Sequence, residues 1–336
     1  MKMICPLATA CTVLTLSAAA ACGQLTVVSQ FPSGGGHVGM GYSAQSDLVW
    51  VYDSSGSLLR SYSTAGVAGV TLPRPGASAN DADIEVAPVD FMLNNVNVPA
   101  GSLLYIDGET GVAEVYAVNP TTGAVIATLV TQYGSSHVVG GGYHPGRGTL
   151  FLVQDKVAAA TVENRVGEVN VTTGAVLNVF HVTAIRPTFT INYGDLDIAN
   201  NGNLLIVSSD ENTIAEFTPE GGFVAEHALP PGPSGLCGIG VRPGSCDLWV
   251  SSTGGTTWRL TMPSGHALCG PTCGNQDFNG DGDFGTDADI EAFFACLGGT
   301  CCATCWQGGS DFNGDGDFGT DADIESFFRV LGGGNC

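Results

Sequence analysis

The sequence predicts a mainly β chain: a β-propeller of five or six blades, followed by a small α-helical pair of loop–helix repeats. Three observations carry that reading. Residues 24–265 alternate apolar and polar positions over short runs broken by Gly, Asn, Asp or Pro, the pattern of strands and tight turns. Beneath the alternation lies a looser repeat of about 40–60 residues. Beyond it, the string DFNGDGDFGTDADIE occurs twice without change, at 277–291 and 311–325.

The bulk composition agrees. In 336 residues there are 49 glycines, 44% hydrophobic and only 12% charged residues, which suits a turn-rich β protein rather than a disordered one. The formal net charge of −22 argues against nucleic acid and anionic membrane surfaces as partners. That charge is concentrated: residues 273–336 hold twelve acids and one base, Arg329, so half the excess lies in under a fifth of the chain. A general acidity would speak only to solubility, whereas this asymmetry points to a cation.

Residues 1–23 read as a secretory signal peptide: one Lys, an apolar run too short to span a bilayer, then small residues, with cleavage expected between about Ala21 and Gly23. Cys22 after four alanines offers lipidation as an alternative, although Ala19 stands where a lipoprotein site carries Leu. No later apolar run is long enough to cross a membrane as a helix. The expected location is outside the cell, secreted or on its surface.

Within the body, 47–52, 102–106, 149–153, 203–207 and 247–250 are the clearest strands. The clearest repeat copy, 194–226, reads as inner strand, turn, second strand, turn, third strand, Gly turn and outer strand. Val51–Gly56, Val118–Gly123, Val169–Gly174 and Phe217–Gly221 are placed at the turn before the outermost strand. The last copy opens at Gly235 and ends at Gly265, and the N-terminal strand Leu25–Gln30 is expected to complete it and close the ring. Five units are visible, and a sixth would have to come from 65–130. Four-stranded units at this spacing define a propeller, in which each blade buries its faces on its neighbours.

Two inner strands carry acids where the others carry glycine: Asp83 and Glu85, and Asp195 and Asp197. Such positions face the central channel, so these four form a candidate metal or ligand site; His37 and His137 open two further inner strands. The plainer reading is that they cap strands, bond turn amides or meet channel water. No G-x-S-x-G elbow and no phosphate loop is present, Gly34–Gly36 lacking the strand-to-helix context. Asn170-Val-Thr172 is a glycosylation-type triplet without a catalytic partner. The copy at 194–226 resembles the NHL and gluconolactonase-like propeller repeats. That resemblance implies the propeller fold and, as an alternative function, a metal-assisted lactonase-like hydrolase.

Of twelve cysteines, nine begin at Cys237. In an exported chain disulfides are the expected state, in preference to a zinc knuckle at Cys301–Cys305. Cys237 and Cys246, nine apart around a hairpin turn, are expected to pair, while the odd count leaves one thiol over.

The repeated string supplies calcium ligands. Asp277, Asn279 and Asp281 fill positions one, three and five of a calcium loop, with Gly282 at the sharp turn. Position twelve, counted straight on, is Ala288, which has no oxygen to give. Registering on the helix instead places Thr286 at the N-cap and Asp289 at the third helical position as the final ligand, in a loop of thirteen residues with Asp283 as an added carboxylate. The second copy gives Asp311, Asn313, Asp315, Asp317 and Asp323. Each loop runs into a helix whose apolar face is Ile290, Phe293, Phe294 and Leu297, or Ile324, Phe327, Phe328 and Leu331. The six acids per copy could in part serve the helix N-terminus, but that accounts for Asp287 and Asp289 and leaves Asp277, Asp281 and Asp283 to a cation.

This tail resembles dockerin type I modules, which pair two calcium loop–helix repeats. The resemblance implies a cohesin-like or cell-surface protein partner, met at Thr286, Asp287, Thr320 and Asp321. The chain thus divides into a signal peptide (1–23), a propeller (24–266) and a calcium-binding tail with disulfides (267–336). The expected function is non-catalytic binding or surface attachment with calcium as cofactor.

Overall fold

The computed structural model describes residues 24–34, 36–76, 80–155, 164–263, 266–269, 274, 276–306, 309–313 and 318–332. The expected signal peptide, Cys22, Cys273, Asp315, Asp317 and Cys336 lie outside them.

The body is a propeller of five blades, each a four-stranded antiparallel sheet. It opens with β1 (Thr26–Pro32). The first blade is β2 (His37–Ser43), β3 (Leu48–Asp53), β4 (Leu58–Ser63) and β5 (Ala68–Pro73). The second begins with β6 (Ala82–Val86), detours through a hairpin of β7 (Phe91–Leu93) and β8 (Val96–Val98), and continues with β9 (Leu103–Asp107), β10 (Glu114–Val118) and β11 (Val125–Val130). Residues 65–130 therefore hold an inserted hairpin and no sixth blade. The third blade is β12 (Val138–His144), β13 (Thr149–Gln154), β14 (Arg165–Asn170) and β15 (Val176–His181), followed by the short α1 (Val182–Ile185). The fourth is β16 (Asp195–Ile198), β17 (Leu204–Val207), β18 (Thr213–Phe217) and β19 (Phe223–Ala228). The fifth is β20 (Leu236–Val241), β21 (Asp247–Ser252) and β22 (Thr256–Thr261), completed by β1, which pairs with β22 from Thr26↔Thr261 to Pro32↔Thr256. The first strand thus closes the ring, as its position predicts, and Trp258 Nε1 donates to Gln30 Oε1 across the seam at 2.8 Å.

The second strands show why the apolar runs are continuous. A strand presents alternate residues to opposite faces, and here each face meets a different neighbour. Leu104 and Ile106 of β9 pack toward the third blade, while Leu103 and Tyr105 pack toward the first. Leu150 and Leu152 of β13 face the second blade; Phe151 and Val153 face the fourth. In β17, Leu204 and Ile206 join the third blade and Leu205 and Val207 the fifth. Each buried Leu, Ile or Phe contributes roughly 1.5–3 kcal/mol, so the core is a set of five inter-blade seams. The fifth seam stacks Tyr42 on Trp249, centroids 4.7 Å apart.

One predicted turn is displaced. Val118–Gly123, Val169–Gly174 and Phe217–Gly221 do precede outer strands, but Val51–Gly56 joins the second and third strands of the first blade. The local chemistry is similar: Asp53 Oδ1 accepts from Gly56 N, much as Asn119 Oδ1 accepts from Thr121 N and Thr122 N. A side chain that bonds the backbone two or three residues on marks a turn without saying which turn it is.

The tail has two helices, α2 (Asp287–Leu297) and α3 (Asp321–Leu331), each with a Thr/Asp capping box. Their core is a group of four phenylalanines, Phe278 and Phe312 from the loops and Phe293 and Phe327 from the helices, the last two stacked at 4.0 Å. Phe294 and Phe328, expected on the apolar faces, instead stand 45% and 47% exposed. Phe278 and Phe312, at the second position of each loop, fill the space between the helices and leave room for only one phenylalanine from each.

Disulfides join Cys246–Cys269, Cys296–Cys301 and Cys302–Cys305. The expected Cys237–Cys246 pair does not form. Cys237 lies at the open end of the β20–β21 hairpin, its Sγ 3.7 Å from the carbonyl of Ser251, and Cys246 lies at the turn. A hairpin separates such positions by about 3.3 Å per residue, well beyond the reach of a disulfide. Cys237 keeps its thiol, buried, and burial raises its pKa.

Candidate metal centres

The channel is built from inner strands of two kinds. β6 and β16 carry acids at every second position, Asp83 and Glu85 on one and Asp195 and Asp197 on the other. β2, β12 and β20 carry glycines. A Cβ on Gly39, which has φ +78°, would stand 1.9 Å from Asp83 Oδ1, and one on Gly140 would stand 2.5 Å from Asp195 Oδ1. Glycine therefore lets the carboxylates fold over the neighbouring backbones, and the acids occupy the axis.

Much of their bonding capacity is met by main chain. Asp83 accepts from Ile84 N (2.6 Å) and Gly141 N (3.1 Å). Asp195 accepts from Leu196 N (2.6 Å), Ile239 N (2.9 Å) and, across the axis, Met40 N (3.3 Å). Asp197 accepts from Ile198 N and Val241 N, both at 2.6 Å. Glu85 is the exception: Oε2 accepts from Val86 N at 3.0 Å, while Oε1 is buried with no hydrogen-bond partner. Oxygens of Asp83, Glu85 and Asp195 lie within 4.8 Å of one another, all three residues buried.

Burial pushes every one of these acids up. Asp83 rises to about 8 and Asp197 to about 7, in both cases chiefly by desolvation. Glu85 is held well above the usual range by burial and then by the charge of Asp197 and Asp83; Asp195 is raised by burial and by Asp83. Near neutral pH such a cluster must carry either protons or a cation. The donor set, three carboxylates with one orphaned oxygen, fits a hard cation, so this buried triad could hold a metal ion.

Above the acids, where the inner strands begin, a cleft of about 500 Å³ opens, lined by Gly36, Val38, Ser54, Asn80, Asn192, Tyr193, Ser209 and Thr253. Beside it His137 Nδ1 lies 2.8 Å from Asp81 Oδ2 and 3.7 Å from Asp155 Oδ1. The sequence reading reached His137 but not Asp81, Asp155 or the cleft. A signal for Asp81 was there: Asp81, Asp83 and Glu85 continue one period-two series. His37 contributes the first residue of β2, pairing with Asp53.

In the tail, the first loop closes on its own side chains. Asp277 Oδ1 accepts from Asp281 N and Oδ2 from Gly282 N, both at 3.0 Å; Asn279 Oδ1 also accepts from Asp281 N at 2.9 Å. Asp281 Oδ1 accepts from Asp283 N at 2.9 Å. Asp289 is fully buried: Oδ1 accepts from Asn279 N (3.2 Å), and Oδ2 from Thr286 N and Oγ1 (both 2.9 Å). These bonds from Thr286 and Asn279 hold its carboxyl below the ordinary range against the opposing effect of desolvation. Asp283 is exposed. In the second loop Asp323 repeats the pattern, accepting from Asn313 N (3.2 Å) and Thr320 N (2.7 Å), and Asp311 starts the loop at the same position. Asp287 and Asp321 are exposed, and Thr286 and Thr320 half-buried.

No protein-family model matches the chain, and no curated protein sequence matches it. Solved structures do. A glutaminyl cyclase of Myxococcus xanthus is 13% identical, with 71% of this chain and 97% of that one covered and a TM-score of 0.50. A luciferin-regenerating enzyme is 9% identical over 72% of this chain and 96% of that one, TM-score 0.46. A gluconolactonase of Xanthomonas campestris is 16% identical over 68% and 72%, TM-score 0.44. Only the likeness to the glutaminyl cyclase, at a TM-score of 0.50, bears on this chain, and at 13% identity it speaks to the fold alone; the five blades are those of the sheets described above. Among the described residues no helix is long and apolar enough to cross a membrane.

Proposed function

We propose that this chain is an exported calcium-binding protein, secreted or held at the cell surface. A propeller (24–266) serves as a non-catalytic binding or attachment body, and a duplicated dockerin-like tail (267–336) binds calcium. The observation that supports this best is the first loop. Asp277, Asn279 and Asp281 are curled together by main-chain bonds, and Asp289 is tied back onto Asn279, which brings ligand positions one and three to the last. In this reading Asp277, Asn279, Asp281, Asp283 and Asp289 hold one calcium and Asp311, Asn313, Asp315, Asp317 and Asp323 the other. Thr286, Asp287, Thr320 and Asp321, at matching helix starts, meet a cohesin-like or cell-surface partner. Phe284 and Phe318, 68% and 71% exposed, flank those positions and add apolar contact.

Calorimetry on the full chain tests the reading. Two calcium equivalents are expected in the tail, both absent from the Asp277→Ala/Asp311→Ala double variant. Equal heats in the double variant and the parent would sink it. A second reading, a metal-assisted hydrolase of lactonase-like type, draws support from the orphaned Glu85 Oε1 beneath the cleft. It predicts a further equivalent that survives the double variant and disappears on Glu85→Gln.

A further inference from the structure

The mouth cleft has features that neither calcium nor the channel acids explain. Among the described residues its lining carries hydroxyl and amide groups and no charged side chain. Tyr193 stands on the wall, 43% exposed, in a left-handed backbone conformation (φ 44°) that a bulky residue adopts only when its surroundings impose it. Its ring takes part in no aromatic pair, and its hydroxyl has no partner among the described residues.

The imposition comes from a polar layer beneath. Asp155, buried, accepts from Tyr193 N at 3.3 Å with one oxygen and faces His137 Nδ1 with the other. His137 is itself bonded to buried Asp81 and also left-handed, at φ 58°. The preceding residue, Asn192, is fixed as well: its N–H donates to Ser208 Oγ at 3.0 Å and its amide to Asp210 at 3.2 Å. Asp155, with His137 and Asp81 behind it, and the anchored Asn192 thus fix the backbone that carries one part-exposed aromatic ring at the edge of a polar cavity. A part-exposed ring with no aromatic partner among the described residues, carried on a backbone held at an energetic cost, is placed to pack on something else.

The chemistry of the occupant follows from the walls. An apolar ligand would leave the hydroxyls and amides unpaired, at a cost for each. An anion would meet a strongly negative chain with no cation on the lining among the described residues. A cation would find no carboxylate on the lining among the described residues, and Asp81 and Asp155 are engaged beside it. We propose that the mouth of the propeller binds a neutral polyhydroxylated molecule, a saccharide unit, with one apolar sugar face stacked on Tyr193 and its hydroxyls bonded by Asn80, Asn192 and Thr253. This rests on the reading of the propeller as the binding body and names its ligand class.

The test uses the full chain and saturation-transfer NMR with glucose, N-acetylglucosamine and cellobiose, beside glucuronate and galacturonate, with calorimetry for affinity. At least one neutral sugar is expected to bind, more tightly than either uronate. Tyr193→Asn, which removes the ring while tolerating the left-handed backbone, is expected to weaken it at least about tenfold with thermal unfolding unchanged. Tyr193→Phe is expected to retain most of it. The Asp277→Ala/Asp311→Ala variant is expected to bind sugar as the parent does, so that failure of the calcium reading and failure of this one are told apart. Absence of binding by all three neutral sugars, tighter binding of a uronate, or undiminished binding in Tyr193→Asn would overturn the proposal.

Discussion

The channel acids make a prediction that can be worked through. Asp83 at about 8 and Asp197 at about 7 are both raised from 3.8. Between pH 4 and those values the unfolded chain sheds protons that the folded chain keeps. Stability is then highest below about pH 4 and falls as pH rises, at about 1.4 kcal/mol per pH unit for each such group until its folded pKa is passed. From pH 5 to 7 one group alone gives a loss of about 3 kcal/mol, an upper bound because the carboxyls interact. For a body of this size that is a fall of roughly 6–12 °C in the unfolding midpoint. A cation in the triad reverses the logic: the carboxylates stay ionised, and the slope disappears. The assay is thermal unfolding of the full chain at pH 5, 6, 7 and 8, in chelator and in millimolar calcium, magnesium or zinc. Above pH 5 the tail contributes little slope, since Asp289 is shifted down and its stabilisation is lost only at lower pH. In chelator the midpoint should fall with pH; with the fitting cation it should stay level. Glu85→Gln should lessen the chelator slope by that one group's share, leaving the share of Asp83 and Asp197. It should also remove the cation's effect, because it neutralises the one channel acid with an unbonded oxygen at little cost in shape. A midpoint level from pH 5 to 8 in chelator, unmoved by Glu85→Gln, would refute the reasoning and leave the acids as inter-blade clasps.

Two further outcomes follow from single positions. Gly39→Ala should destabilise the propeller by several kcal/mol, since the new methyl would stand 1.9 Å from Asp83 Oδ1 at φ +78°; urea unfolding reads this, and a loss under about 1 kcal/mol would contradict the close approach at the axis. Asp289→Ala removes the acceptor for Thr286 and Asn279, costing about 1 kcal/mol or more as a lost helix cap and, on the calcium reading, one binding equivalent. Calorimetry and far-ultraviolet circular dichroism follow the two losses separately.

How much of this was legible in the sequence depends on the physics behind each residue. The second strands could be read because successive residues at their centres are apolar, and the reason, a different neighbour on each face, is a property of propellers. The closing role of β1 was legible because blade five lacked a fourth strand. Thr286 and Asp289 could be placed because a capping box is local. Cys237 was misplaced because a spacing of nine suits a hairpin but does not say which end of it each cysteine occupies. Phe294 and Phe328 were misassigned because a helical stripe gives a face, whereas the room available at that face was set by Phe278 and Phe312 from outside the helix. Tyr193 went unremarked because a left-handed backbone on a tyrosine is imposed by Asp155, 38 residues away, and leaves no mark in the local sequence.

The two acidic clusters of this chain have opposite relations to water, and that difference decides what each can do. In the first tail loop Asp281 and Asp283 are open to solvent and Asp277 is half-buried, while Asp277, Asp281 and the buried Asp289 accept from main-chain N–H groups. On the calcium reading, a cation would exchange there by shedding water and meeting ligands already curled, and its binding would track the free ion outside. In the channel, Asp83, Glu85 and Asp195 are almost completely buried, and an ion reaches them through the cleft or during folding. An ion in that position exchanges slowly and acts on stability, since removing it forces three raised carboxyls to find protons. On the proposed reading, the same chain would carry an exchangeable cation site at its end and a retained one at its axis. Rapid chelation should strip the first while leaving the second, and the order of loss with time in chelator, tail before channel, follows from burial alone.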